Sequence, residues 1–585
     1  MALTNREIAD LFERVSDMLE IRGDIIHRVL SYRRAAETIR ELPRDLRAIA
    51  AEGTLTELPN IGKTLAEKIE EMLTTGELEF YNRLAQEIPP SLVDIMHING
   101  VGPKKAALFW KELDITSVEQ LKAAAEAGKL RDLPRMGEKS EKQVLAGIEA
   151  LSRRTGRTPL GVALPAAQEI LDRLLNLPQA IEGAIAGSIR RGRPTIGDVD
   201  ILIASDEAAP IMDTFVTMPN VARILGHGPT KSSVELQNGL QVDVRVLEKA
   251  RWGTALNYFT GSQAHNIRMR ELMLAKGYSL NEHALRPLDA DGNMIEDEAQ
   301  HVRCATEEEV YAAVDLPYIP PELREDSGEI EAAQQGKLPN LIVLGDLQSD
   351  LHMHTTWSDG HLSIREMAEA AQRRGRKYIV ITDHSHYSTI ANGLSVERLL
   401  EQQQEVRQVD AQMGPDFRVF HGVEMDIRSD GTLDLPDEVL AQLDFVIASL
   451  HFGLNQERSV ITRRLLNAIE NPHVDLIGHP RGQLIEKRAP ADLDMDVIFE
   501  AAKKHGTALE INANPARLDL EAQYARRAVE LGISLSINTD AHAEDQMDLL
   551  AFGVLTARRG WVEAASVINT WPVERFLDWT RSRGR

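Results

Sequence analysis

Two short stretches of the 585-residue chain carry residues whose spacing points to cation chemistry. In GDVDILI (197–203), Asp198 and Asp200 stand at i and i+2 of a predicted strand, so both carboxylates leave the same face. Like charges held that close raise each other's pKa or recruit a cation. A bare pair of this kind also reads as an edge strand with two solvated carboxylates, and its neighbours decide between the two. Downstream, LQVDVRV places Asp243 between aliphatics on another predicted strand. Upstream, AGSIRRGRPTIG joins Gly187 and Ser188 to Arg190 and Arg191, a turn and a charged fork that can hold phosphates. Three carboxylates on two strands can hold two divalent ions, Mg²⁺ or Mn²⁺, the arrangement suited to in-line phosphoryl transfer.

The second stretch, DLHMHTTWSDG, puts His352 and His354 on one strand face and Asp359 on the loop after it. His384, Glu424, His451, His479, Asp540 and His542 follow, each at the C-terminal end of a predicted strand. That end is where a parallel barrel builds its site. A single buried histidine is usually structural, but nine histidines and carboxylates at six strand ends are poorly explained by coincidence. Imidazole and carboxylate without thiolate suit Mn²⁺, Zn²⁺ or Fe²⁺. Nine ligands exceed one ion and match up to three, a set suited to metal-assisted phosphoester hydrolysis.

The elements that must position these groups fall into two styles. Residues 1–155 read as short helices with three glycine turns, LPNIGKTLAEKI (58–69), INGVGPKKAALFW (98–110) and LPRMGEKSEKQV (133–144). Gly62, Gly100, Gly102 and Gly137 open those turns, and Lys104 and Lys105 add charge, so backbone N–H groups at a helix start can face a phosphate. Residues 160–250 mix helix and strand. Proline pairs and acidic residues in 319–340 predict a linker. Beyond 340, seven aliphatic strands alternate with helices, the pattern of a parallel barrel.

Composition narrows the field. Net charge is −24 and both halves are acidic, so nucleic acid must be met by local patches and backbone amides rather than a global field. A single cysteine, Cys304, excludes an internal disulfide framework and a thiolate zinc cage. No apolar run approaches the roughly 20 residues of a membrane helix. MALTNREIADLFERV reads as an amphipathic helix start rather than a signal peptide. The expectation is a cytoplasmic, nucleoid-associated monomer with no membrane partner.

GSIRRGRPTIGDVDILI, VDVRV and YFTGSQAHNIRMRELMLAKGYSLNEHALRPL (258–288) together resemble the family X DNA polymerases, over about residues 1–316. The resemblance implies Asp198, Asp200 and Asp243 as metal ligands and Gly187, Ser188 and Arg191 as triphosphate contacts. It implies Tyr258, Phe259 and Gly261 around the nucleotide sugar, and Asn266 and Arg270 near the nascent base pair and template; core packing is the plainer reading of Tyr258 and Phe259. Lys68, with Tyr32 nearby in the pattern, corresponds to a lysine that forms a Schiff base with abasic deoxyribose, and a phosphate-binding lysine is its alternative. Gln241 stands where a basic residue is expected, His265 where an aromatic is, and Ile267 where a lysine is; these touch nucleotide affinity and template contacts. Residues 341–575 resemble the PHP (polymerase and histidinol phosphatase) domain, with all nine ligand positions filled and with Arg481 and Gln483 departing from the usual rim. His361, His386 and His421 fall outside the ligand set.

The implied architecture is multidomain. It comprises an α-helical lyase-like domain (1–85), a helix-hairpin-helix domain (86–155), an α+β nucleotidyltransferase palm (156–255) and a thumb (256–318). After the linker comes a distorted (β/α)7 PHP barrel (341–585). The implied function is DNA-templated filling of short gaps in base excision repair, using gapped or primed DNA and dNTPs. The PHP domain would add a metal-dependent 3′–5′ exonuclease and AP-endonuclease activity. Two rivals stand beside it: a small-molecule phosphatase in the PHP half, and a non-catalytic DNA-repair scaffold with structural metals.

Overall fold

The computed structural model describes residues 3–583 except 41, 43, 97, 99–100, 135 and 154–156. The chain forms two compact units. One takes in residues up to Arg157 with Val216–His227 and Ser233–Val242, and the other takes in Thr158–Phe215, Gly228–Ser232 and Asp243–Arg585.

The first unit is helical through Arg153. Its opening helix, Asn5–Arg22, is bounded by its own sequence. Thr4 and Glu7 form a reciprocal capping box, and Gly23 closes the helix in the left-handed conformation. Ile8, Phe12, Val15 and Leu19 recur at helical spacing and are fully buried, in one core with Tyr32, Ile39, Ile69 and Phe109. The glycine turns of the sequence precede the helices Lys63–Thr75, Pro103–Leu113 and Glu138–Arg153.

The second unit holds both chemical stretches. Strand Asp198–Ala204 pairs antiparallel with Glu182–Ile185 and neighbours the strand that ends at Leu247. Its aliphatics from Ile201 to Ala204 are buried, while Asp198 and Asp200 occupy its open end. Further on, seven parallel strands run in chain order: Ser349–Asp350, Tyr378–Ile381, Arg418–Asp426, Phe445–Ser449, Leu476–Gly478, Ala508–Asn512 and Leu535–Asn538. All seven lie in the stretches expected from alternation with helices. A parallel bridge between Met353 and Ala541 brings the first and last strands' extensions together, so the barrel is nearly closed. The strands are buried along their length, as expected for a parallel sheet covered by helices. Helix Val573–Arg581 places Phe576 against Tyr378, Phe420 and Phe445, ring centres 5.1, 5.6 and 5.7 Å away. It packs at the strand-start end, opposite the histidines.

The stretch 319–340 corrects the linker expectation. Ile319, Leu323, Arg324, Glu329 and Ile330 are buried, and short helical turns occupy Pro321–Leu323 and Glu329–Gln334. Its charged residues meet partners far along the chain, which composition alone cannot reveal. Arg324 donates to Glu307 at 2.6 Å and to the Ile319 carbonyl at 2.8 Å. Glu329 accepts or shares a proton with His265 Nδ1 at 2.7 Å. His265, unusual for its position in the sequence, is thus a buried structural group whose Nε2 meets the Tyr311 hydroxyl at 3.0 Å.

Candidate metal centres and nucleic-acid interface

The three aspartates come together on neighbouring strands. Asp198 is exposed, Asp200 half-buried and Asp243 buried. Burial first, then the charges of Asp198 and Asp243, push the Asp200 carboxyl up to about 6, against Arg245 and Lys231. Lys231 Nζ lies 2.8 Å from Asp243 Oδ2, a cation drawn to the excess negative charge. Nothing in the sequence pattern singled out Lys231; only the strand pairing brings it there. A Cβ added at Gly187, whose φ is +63°, would lie 3.1 Å from Asp200 Oδ2, so glycine lets the Gly187–Ser188 turn close on the carboxylates.

Of the predicted nucleotide contacts, Phe259 lies beside this turn, its carbonyl 3.9 Å from a Cβ built at Gly187. Tyr258 and Phe259 meet edge to face with centroids 5.2 Å apart. Arg245 lies over the Phe259 ring at 4.4 Å and Arg270 over Tyr258 at 5.4 Å. Asn266 donates to the Tyr258 carbonyl at 2.7 Å. Both aromatic rings are only half-buried, so core packing does not account for them alone. Gly261 sits at φ +68° against the Arg191 guanidinium.

At the barrel mouth, the nine expected residues come together in one cluster. Three groups each hold ligand atoms within 4.8 Å of one another: His354, Asp359, His384 and His542; His352, His354, Glu424 and Asp540; and His384, Glu424 and His451. His479 Nε2 joins them 3.0 Å from Glu424 Oε1. His352 Nε2, His354 Nε2, His384 Nδ1 and Glu424 Oε2 are buried without a hydrogen bond. Buried polar atoms in that state are costly, and a divalent ion would relieve the cost, so the donor set fits metal.

The electrostatics agree. Burial lowers the His451 pKa, but Glu424 and Asp426 outweigh it and hold it up at about 10. His542 is held up at about 9, where Asp359 and Asp540 outweigh burial. Burial, then His542 and His384, push His354 down to about 3. Carboxylates and imidazoles this close compete for protons that a metal would displace.

A second ring of groups, not found by sequence reasoning, orients these ligands. Glu510 Oε1 meets His352 Nδ1 at 2.7 Å, while Glu510 Oε2 accepts from the His479 amide at 2.7 Å. Asp426 Oδ1 meets His451 Nδ1 at 2.9 Å. Such partners fix the tautomer and ring orientation of a metal-binding histidine. The alternation that exposed His352 and His354 also places Asp426 on the face of Glu424, a signal available in the sequence.

Arg517 is a further residue the sequence reading missed. Its Nη1 is buried without a hydrogen bond, and its Nε lies 3.8 Å from Asp540 Oδ2. Its loop is tied down by neighbours: Gln483 donates to the Arg517 carbonyl at 2.8 Å and Ile485 N to the Ala516 carbonyl at 2.7 Å. Arg481 donates to Glu521, and its amide and that of Gln483 meet Asp519. The two rim departures noted in the sequence therefore hold this arginine's loop. His361 and His421 stay outside the cluster; burial pushes His421 down to about 4.

In the helical unit, Gly62 and Gly102 occupy the N-cap positions of Lys63–Thr75 and Pro103–Leu113. Neither helix start has a side-chain cap, and a Cβ at either glycine would meet nothing within 4 Å. Lys104 is exposed in the first turn, with Lys105 beside it. These starts can take an oxygen anion. Gly100 lies outside the described residues. The turn at Gly137 differs, because Glu138 and Glu141 fill the first turn of its helix and Glu141 is held by Arg131 at 2.6 Å. Carboxylates there oppose a phosphate, so the first turn after Gly137 is less suited to one than those after Gly62 and Gly102. Lys68 lines a cavity of 530 Å³ with Arg28, Tyr32, Phe80 and Arg83. Its ammonium lies 4.5 Å over the Phe80 ring, and burial pushes its pKa down.

Segments of the chain match known families. Residues 350–514 match the PHP domain, 255–325 the DNA polymerase beta thumb, 3–78 a helix-hairpin-helix domain and 92–150 a SAM-like helix-hairpin-helix tandem. The chain is 40% identical over 577 residues to the DNA polymerase/3′-5′ exonuclease PolX of Bacillus subtilis, covering 98% of this chain and 99% of that protein. It is 30% identical over 237 residues to a probable phosphatase of Thermoanaerobacter, covering 38% of this chain and 89% of that protein. A probable phosphatase of Caldanaerobacter subterraneus is 32% identical over 227 residues, covering 36% and 79%. The chain belongs to the family X DNA polymerases that carry a C-terminal PHP domain.

Proposed function

We propose that this chain fills short gaps in DNA from dNTPs at the aspartate site and degrades DNA 3′ to 5′ at the barrel site. Asp198, Asp200 and Asp243 are the residues that hold Mg²⁺ or Mn²⁺ at the first site, and the nine barrel ligands hold up to three Mn²⁺, Zn²⁺ or Fe²⁺ at the second. When bound, such ions neutralise phosphate charge and lower the pKa of the attacking oxygen. The protein's part at the first site is positioning. The Gly187–Ser188 amides and Arg191 receive the triphosphate, Tyr258, Phe259 and Gly261 shape the sugar's place, and Asn266 and Arg270 border the base pair. At the barrel, Glu510 and Asp426 fix His352 and His451, and the open Nη1 of Arg517 receives a non-bridging phosphate oxygen. The uncapped helix starts at Gly62 and Gly102, with Lys104 and Lys105, grip the DNA backbone without reading its sequence.

The observation that carries this reading is the closure of Gly187 on Asp200, which puts a phosphate-holding turn and a cation-gathering carboxylate on one surface. Lys68 supports a third activity. A lysine with a lowered pKa beside Tyr32 is suited to Schiff-base formation with abasic deoxyribose, and borohydride trapping on an abasic substrate tests it. The main reading is tested with labelled gapped DNA and, separately, a sugar phosphate. Asp198→Asn with Asp200→Asn abolishes extension and spares degradation, whereas His352→Ala with His354→Ala does the reverse. Hydrolysis of the sugar phosphate but not of DNA would favour the phosphatase. Both reactions surviving both double variants would favour the scaffold.

A further inference from the structure

The barrel reaches into the polymerase site through one carboxylate. Glu325 Oε1 accepts from Arg191 Nε at 3.1 Å and from Arg559 Nη1 at 2.8 Å, and Glu325 Oε2 lies 3.7 Å from Arg193 Nη1. Arg559 ends the barrel helix Leu550–Arg559, and its Nη1 also donates to the Arg191 carbonyl at 2.7 Å. The same helix packs Leu555 against Gly192, so closely that a Cβ there would lie 2.5 Å from Leu555 Cγ. Arg191 Nη1 donates to the Thr260 carbonyl. Nε and Nη1 of Arg191 are therefore both engaged by protein, and Nη2 is left to meet a ligand. A guanidinium held at two of its three nitrogens keeps its plane, which is what bidentate or directed phosphate recognition requires.

We infer that Arg559 of the PHP barrel, acting through Glu325, is a positioning residue for the triphosphate-binding Arg191 of the polymerase site. The barrel is then not only a second enzyme on the chain but part of the scaffold that sets nucleotide affinity. This rests on the reading of Arg191 as a triphosphate contact. Three like charges converge on Glu325, and they are close enough to repel one another without it. Losing Arg559 leaves Glu325 to Arg191 and Arg193 and frees the Arg191 carbonyl, so the turn that carries Arg191 gains freedom. Arg558 is the matched comparison. It also joins the barrel helix to this segment, through Glu322 at 2.7 Å and the Ile342 carbonyl at 3.0 Å, and neither bond reaches Arg191.

The test uses the full chain on single-nucleotide-gapped DNA. Arg559→Ala is expected to raise the KM for dNTP about tenfold with kcat kept within about twofold, because an interaction used in ground and transition states alike is weakened. Arg559→Lys should recover part of the loss, and Glu325→Gln should show the same KM defect. Arg558→Ala should leave the KM for dNTP within about twofold of the parent. Degradation of a 3′ end should be unchanged in all four variants, which also certifies their folding. Equal KM effects from Arg559→Ala and Arg558→Ala, or an unaltered KM in a degradation-competent Arg559→Ala, would overturn the inference. If Arg559→Ala loses degradation too, the KM of Glu325→Gln decides: an unaltered value overturns the inference. A parent chain that does not extend primers at all would instead defeat the polymerase reading.

Discussion

The two proposed cation sites of this chain are built on opposite plans. The palm site has three carboxylates, one of them exposed, and its nearest cation is a lysine of the protein itself. The barrel site has nine candidate ligands, with His352, His354, Glu424 and His479 almost wholly buried and with Glu510 and Asp426 meeting imidazoles from behind. An open, acid-only site holds its ions weakly and completes its coordination with substrate oxygens, as Mg²⁺ favours. A buried, imidazole-rich site is organised before substrate arrives. The contrast teaches that one chain separates building from cutting by ligand hardness and preorganisation rather than by fold alone.

The largest expected effect falls on the preorganised site. Glu510→Gln removes the charge that orients His352 while leaving its shape, and should cost 3′-end degradation or metal affinity roughly 10–100-fold. Extension should not change. Steady-state degradation against metal concentration checks this, and a loss matched in extension would break the distinction between the sites.

A smaller effect should appear with pH at the open site. Asp200 is held up at about 6 by burial and by its neighbouring aspartates, and only its deprotonated form can take a metal ion. Extension at subsaturating Mg²⁺ should therefore be intact above that value and fall about tenfold per pH unit below it. Raising Mg²⁺ should move the fall to lower pH. A profile flat down to pH 5 at limiting Mg²⁺ would mean that Asp200 is not a ligand. Smallest of all, Lys231→Met should move the midpoint upward, since the Lys231 charge holds the Asp200 pKa down.

The barrel was the more legible half. Its histidines and carboxylates recur at strand ends, and seven aliphatic runs separated by helices leave few alternatives to a parallel barrel, so both the fold and the clustering of these residues could be read from pattern. Asp198, Asp200 and Asp243 were legible because strand alternation and the Gly187–Ser188 turn reinforce each other. Lys231, Glu510 and Arg517 were not, because each is a lone residue whose meaning comes from a partner far along the chain. The segment 319–340 misled for the same reason. Its prolines and acids have the composition of a solvated linker, yet Arg324, Glu325 and Glu329 are matched to Glu307, Arg559 and His265 by tertiary contacts. Strands Val221–His227 and Lys231–Leu236 were not singled out either, since polar residues interrupt their aliphatic pattern.

The central claim is that two separate cation sites of unlike character serve two reactions on DNA. It is tested most directly by locating Mn²⁺ through anomalous scattering in crystals of the full chain, with and without a gapped DNA and a non-hydrolysable dNTP. The account predicts peaks among His352, His354, Asp359, His384, Glu424, His451, His479, Asp540 and His542 in both states, and peaks beside Asp198, Asp200 and Asp243 that strengthen when the nucleotide is present. A barrel mouth without Mn²⁺, or nucleotide bound away from the three aspartates, would contradict it.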